Sequence, residues 1–136
     1  MVILSVDYGD MRTGLAVCDR MEILASPIGV ITQSYEPKLI KEIAEHARKH
    51  SPGLIVVGLP KNMDGSEGER AEKCKAFAKH LSEETGIETV MWDERLTTVS
   101  AHRALSDNNV RGQKRKNVVD AVSAVMILES FLASRK

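Results

Sequence analysis

The sequence predicts an α/β fold on a five-stranded mixed sheet, three antiparallel strands followed by two parallel ones, with helices on both faces. Three observations predict it. Apolar runs and helical-period runs follow one another in the order β-β-β-α-β-α-β-α-α. The first three runs are joined by short, turn-rich segments, which suits antiparallel neighbours. The later strands are separated by amphipathic helices, and a strand–helix–strand unit implies parallel pairing with a right-handed crossover.

Residues 2–6 form a short apolar run that reads as a buried strand. Residues 14–18 are a second, close enough across a glycine-bearing turn to make a hairpin. Residues 28–32, after Pro27, are a third. From Glu36 to His50 the period changes: Leu39, Ile40, Ile43, Ala44 and Ala47 fall at helical spacing. Ser51-Pro52-Gly53 ends that helix, residues 54–57 form a continuous apolar strand, and Gly58-Leu59-Pro60 closes it. Ser66 and Glu69 have capping-box spacing ahead of a helix carrying Ala71, Cys74, Phe77, Ala78 and Leu81 on one side. Gly86 stops it, and residues 87–92 make the fifth strand. Thr97 or Thr98 is placed to cap a short helix through Leu105, residues 106–116 read as polar and irregular, and Asn117 caps a last, largely apolar helix to about Ala133.

The chain has 136 residues, which suits one domain over 1–136 and is enough to bury a substantial core. Its formal net charge is zero, so no whole-molecule field draws it to nucleic acid; any such attraction must come from local clusters. No run approaches the ~18–20 apolar residues of a membrane helix. Met1-Val2-Ile3 lacks the basic start of a secretory signal. Cys18 and Cys74 are far apart and form no CxxC pair, which fits a reducing, cytoplasmic setting.

Acidic residues stand at the ends of buried elements: Asp7 after the first strand, Asp93 and Glu94 after the fifth, Asp120 near the start of the last helix. Strand ends on one side of a sheet share a rim, and carboxylates gathered there would suit Mg²⁺ or Mn²⁺, which take oxygen ligands. Such ions activate water for attack on a phosphodiester. Each acid also has an ordinary explanation. Asp7 suits a turn, Asp93 and Glu94 suit a solvated rim, and Asp120, three residues after Asn117, suits helix capping. His46 and His50 are one helical turn apart, but without a third ligand they read as a solvated helix face. No GxSxG, P-loop or GxGxxG motif occurs. Arg12, Lys61 and Arg95 follow three different strands and could share the acidic rim. Arg111, Lys114, Arg115 and Lys116 form a basic stretch directly before Asp120, suited to phosphates. Aromatic residues are too few for a base-stacking platform.

Four segments, VDYGDMRTGLAVCD, VGLPKNMDGSEGERA, DERLTT and VVDAVSAVMILESFL, resemble the YqgF/RuvX family in order and spacing, and the resemblance runs from residue 2 to about 132. These are small bacterial proteins described as pre-16S rRNA nucleases and formerly as Holliday junction resolvases. The resemblance implies a ribonuclease H-like fold and a metal-dependent nuclease with Mg²⁺ or Mn²⁺ held by Asp7, Glu94 and Asp120. It implies RNA, the 5′ end of the 16S rRNA precursor, as substrate. Branched DNA, or a weakly catalytic RNA-binding role in ribosome assembly, are the alternatives, and the oligomeric state is open. One departure stands out. RuvC-like enzymes carry an acid at the end of strand four, where this chain has Val57-Gly58-Leu59-Pro60. If strand four lies between strands one and five, Asp7 and Glu94 start roughly 9–10 Å apart. Asp10 and Asp93 are the substitutes if Glu94 cannot reach. DYGDMRTG is also similar to the first phosphate loop of actin-like ATPases, but those close a second domain over nucleotide.

Overall fold

A computed structural model describes residues 1–97 and the helix that follows from residue 113, with the side chains of that helix described from residue 121 onward. Chain order is β1 (Ile3–Asp7), β2 (Arg12–Cys18), β3 (Ala25–Thr32), α1 (Glu36–His50), β4 (Leu54–Leu59), α2 (Glu69–Thr85), β5 (Thr89–Asp93), a single 3-10 turn (Glu94–Leu96) and α3 (Gln113–Ser134). The sheet runs β3-β2-β1-β4-β5. The β1–β2 and β2–β3 pairs are antiparallel, whereas β1–β4 and β4–β5 are parallel.

Side chains alternate across each strand, and the two faces bury separate clusters. Leu4, Val6, Ile55 and Val57 pack against Leu39 and Ile43 of α1 and Phe77 and Leu81 of α2. Ile3, Ala16 and Val56 pack against Ala124, Ile127 and Leu128 of α3. Helices therefore cover both faces, as expected. β4 is buried along its whole length, which is why its sequence is apolar without alternation. β3 forms one edge. It starts earlier than expected, at Ala25, and carries Pro27 beside a register shift at Leu15/Ala16. A proline at an edge removes a donor that no neighbour needs and blunts further pairing.

Three local expectations are corrected. Asp7 is the last residue of β1, paired with Gly14, and does not begin the turn. The capping box before α2 does not form: the N-cap is Gly68, while the Ser66 N–H and hydroxyl both donate to Asp64 Oδ1, at 2.9 and 2.6 Å. α3 begins at Gln113, ahead of Asn117, so Asn117 is not its cap and Asp120 is not at N3. Residues 114–116 are correspondingly helical. The helix expected through Leu105 and the stretch at 106–112 lie outside the described residues.

The parallel strands end at one rim of the sheet. β2 begins and β3 ends there, since Arg12 pairs with Thr32. α1 and α2 start at the same rim. Among the described residues, no helix is long and apolar enough to cross a membrane.

Candidate active site

The β1–β2 turn is tight. A Cβ at Gly9 would collide with the Arg12 carbonyl oxygen, so only glycine fits where the chain reverses. Just before it, Asp7 lies at the end of the central strand and is buried. Strand alternation puts it on the α3 face, the face of Ser5, whose hydroxyl donates to the Ala124 carbonyl at 2.7 Å.

Beside Asp7 runs β4. The parallel register pairs Val6 with Val57, and its next step places Asp7 beside Gly58. Gly58 in turn pairs with Trp92 of β5. A Cβ at Gly58 would lie 2.7 Å from Glu94 Oε1, 3.2 Å from Glu94 Cγ and 2.7 Å from Ile127 Cδ1. The Glu94 side chain therefore turns back from the end of β5 and occupies the space that any side chain on β4 would need. It closes one of the two strand spacings between β5 and β1, leaving roughly 5 Å, one spacing, to the strand that carries Asp7. Glu94 is 7% exposed and Asp7 4%, so both carboxylates sit in the protein rather than on a solvated rim.

The turn that aims Glu94 is stitched on each side. Asp93 caps it, accepting from the Arg95 backbone N–H at 2.9 Å. The Thr97 N–H and hydroxyl donate to the Glu94 carbonyl at 3.1 and 2.9 Å. Ser130 of α3 donates to the Leu96 carbonyl and accepts from the Trp92 indole N–H, both at 3.0 Å. Asp93 is thus committed elsewhere. Three hydrogen bonds from the Arg95 guanidinium, the shortest 2.7 Å, hold its carboxyl below the usual carboxylate range. Asp10 is exposed and ion-paired to Arg70 at 2.8 Å. Arg70 also donates to the Tyr8 carbonyl and lies 5.0 Å from the centre of the Tyr8 ring, which stacks on Phe77 at 4.0 Å. Asp93 and Asp10, the two alternatives to Glu94, are thus each paired with an arginine.

Asp120 stands in α3 one helical turn before Ser123 and Ala124, and its side chain is outside the description. So are Arg111 and the side chains of Lys114, Arg115 and Lys116. Arg12 opens β2 on the far side of Asp7 from β4. Lys61 and Arg95 lie just beyond β4 and β5, each beside an acid: Lys61 is 3.7 Å from Glu67, and Arg95 pairs with Asp93. Among the described residues, no three His, Cys, Asp or Glu side chains converge as a metal cluster. His46, His50 and His80 lie on α1 and α2, across the sheet from Asp7. Asp7 and Glu94 nonetheless fit a hard divalent cation by donor chemistry, since both are buried carboxylates brought to neighbouring strands.

Sheet order, mixed pairing and an acid at the end of the central strand define a ribonuclease H-like protein. The chain belongs to the RuvX family: its model, described as Holliday junction resolvase, matches residues 1–134. A relative from Agathobacter rectalis, named "Putative pre-16S rRNA nuclease", is 39% identical over 97% of this chain and 94% of its own. One of the same name from Clostridium tetani is 40% identical over 98% and 97%. Both descriptions are of nucleases, and this is a nuclease family. Solved structures agree on the fold. RuvC of Thermus thermophilus, in complex with a Holliday junction substrate, superposes with a TM-score of 0.61 at 15% identity, over 99% of this chain and 96% of that one. The fowlpox virus Holliday junction resolvase gives 0.54 at 14%, over 98% and 99%.

Gly58, over which Glu94 lies, is the position at the candidate site that the sequence analysis did not single out. A signal for it existed, since a glycine inside an apolar strand marks close approach of another group.

Proposed function

We propose that this protein is a metal-dependent nuclease that hydrolyses phosphodiester bonds in the 5′-end processing of pre-16S rRNA in the cytoplasm. The observation that carries the reading is the Glu94 carboxylate lying over Gly58, one strand from Asp7. Asp7 and Glu94 would hold Mg²⁺ or Mn²⁺, with Asp120 completing the ligands from α3. When bound, such an ion lowers the pKa of its water and stabilises the charge developing on the phosphate. Buried carboxylates on a rigid sheet hold their positions without reorganising during the reaction. Arg12, Lys61, Arg95, Arg111, Lys114, Arg115 and Lys116 would neutralise backbone phosphates and set the register of the strand. The pre-16S rRNA assignment rests on the names of relatives spanning nearly the whole chain.

The test is cleavage mapping on a 16S rRNA precursor and on a four-way DNA junction in parallel, comparing wild type with Asp7→Asn, with Mg²⁺ and with EDTA. Mg²⁺-dependent cleavage of the RNA that Asp7→Asn abolishes is the expected result. Undiminished cleavage by Asp7→Asn overturns the mechanism. The description of the family model favours a second reading, resolution of branched DNA. Symmetric cutting of a junction calls for a two-fold dimer, so paired nicks in the DNA and a dimer in sedimentation would select it.

A further inference from the structure

The active-site rim also carries exposed apolar side chains. Met63 is 96% exposed and Leu96 61% exposed. A single open methionine on a protein surface needs no explanation. These two differ from scattered ones in three respects.

First, their backbones are held. Met63 is flanked by Asn62 and Asp64, whose loop is closed by hydrogen bonds. The Asn62 N–H donates to the Ser66 carbonyl, the Gly65 N–H to the Asn62 carbonyl, and the Asn62 amide to the Ser66 hydroxyl, all at 2.9 Å. The Leu96 carbonyl accepts from Ser130 of α3. Second, the two supports meet: a Cβ at Gly65 would touch the Arg95 guanidinium at 3.4 Å, and Arg95 adjoins Leu96. The segments that carry Met63 and Leu96 therefore meet at the β4–β5 side of the rim that carries Asp7 and Glu94. Third, each has a cation in its own segment. Lys61 precedes Met63 by two residues and Arg95 precedes Leu96 by one, and neighbouring acids steady both.

A cation beside an apolar tip, repeated on adjacent loops, matches a nucleotide's pairing of phosphate and base. We propose that Met63 and Leu96 form an apolar wedge that takes unstacked bases of the nucleic acid beside the scissile bond. The wedge rests on the nuclease reading for the position of that bond. Methionine and leucine are side chains that proteins insert between base steps. In this rim they supply the apolar contact that the scarcity of aromatic residues would otherwise leave missing. The substrate class that fits is a helix end or branch with unpaired bases, rather than an uninterrupted duplex.

The test separates the wedge from cleavage. An RNA hairpin with a single-stranded 5′ extension carries 2-aminopurine at the paired–unpaired boundary and is titrated with the full chain in EDTA, so that nothing is hydrolysed. Wild type should raise the fluorescence as the base leaves its stack. Met63→Ser/Leu96→Ser should bind about tenfold more weakly or worse, as expected for two lost apolar contacts, and leave the base stacked. Met21→Ser/Ile23→Ser, exposed at the opposite end of the sheet, is the control and should match wild type. Both pairs are open to solvent, and unchanged circular dichroism and thermal midpoint confirm folding. Wild-type fluorescence response in Met63→Ser/Leu96→Ser overturns the wedge. So does an equal loss in the control, or a variant whose only change is in self-association. A protein that unstacks the base but cleaves nothing with Mg²⁺ retains the wedge and loses the nuclease reading. One that cleaves without unstacking loses the wedge alone.

Discussion

Glu94 Oε1 lies 2.7 Å from the point where Gly58 would carry a Cβ, so one residue's missing side chain is the other's position. A carboxylate from β5 can reach the strand beside Asp7 only because β4 is bare at that position. This relationship yields the most direct test of the site. Gly58→Ala should displace both Glu94 and Ile127. Gly58 is not among the positive-φ glycines, so the backbone itself accepts alanine and the effect is one of space. Overpacking of this kind typically destabilises by about 1–3 kcal/mol. Urea denaturation should show that loss, and cleavage should fall more than stability explains.

Arg70 ties the turn after Asp7 to α2 through Asp10, the Tyr8 carbonyl and the Tyr8 ring. The ion pair is exposed and contributes little. The charged donor on a carbonyl and the cation–π contact together support a loss of roughly 1–3 kcal/mol in Arg70→Ala. Arg70→Lys keeps charge but not the two-pronged geometry and should restore only part of it. Chemical denaturation of both variants checks the ranking.

Ser123 is fully buried on α3, and its hydroxyl finds no hydrogen-bond partner among the described residues. Removing an unsatisfied buried group with almost no change in volume is neutral or stabilising, so Ser123→Ala should raise stability by about 0–1 kcal/mol. A clear drop in the urea midpoint would show that the hydroxyl has a partner in solution.

Glu22 accepts from Arg135 Nε at 2.6 Å and from the terminal amino group at 2.9 Å, tying the β2–β3 hairpin to the end of α3. Those hydrogen bonds lower its pKa from 4.5 to about 2. A depressed folded-state value means that the stabilisation is fully present above the unfolded pKa and is lost as pH falls through the folded one. Thermal midpoints should therefore decline between about pH 4.5 and 2. Glu22→Gln should be less stable at neutral pH and show a shallower acid decline.

Much of this was legible in the chain. Helical period marks α1 through Leu39, Ile40 and Ile43, and an unbroken apolar run marks β4, because burial on one face or two leaves those patterns directly in sequence. Asp7 could be singled out because an acid at the end of an apolar run is locally conspicuous. Helix starts were less legible. Ser66 has the spacing of a cap but bonds Asp64 instead, since two side chains competed for the same local donors. α3 starts before Asn117 because a capping residue is also tolerated inside a helix whose stability comes from packing.

The sequence by itself determined the alternation of strands and helices, the mixed sheet and the acids offered at its rim, because these follow from periodicity and turn chemistry between near neighbours. Only the tertiary structure decided where each acid's side chain lies. Asp7 and Glu94 are separated by β4, and whether that strand divides them or admits contact depends on register. Register set Gly58 beside Asp7 and Trp92, and sent Asp93 to Arg95 and Asp10 to Arg70. Contacts between residues so far apart in the chain arise from how elements stack, which no local pattern encodes.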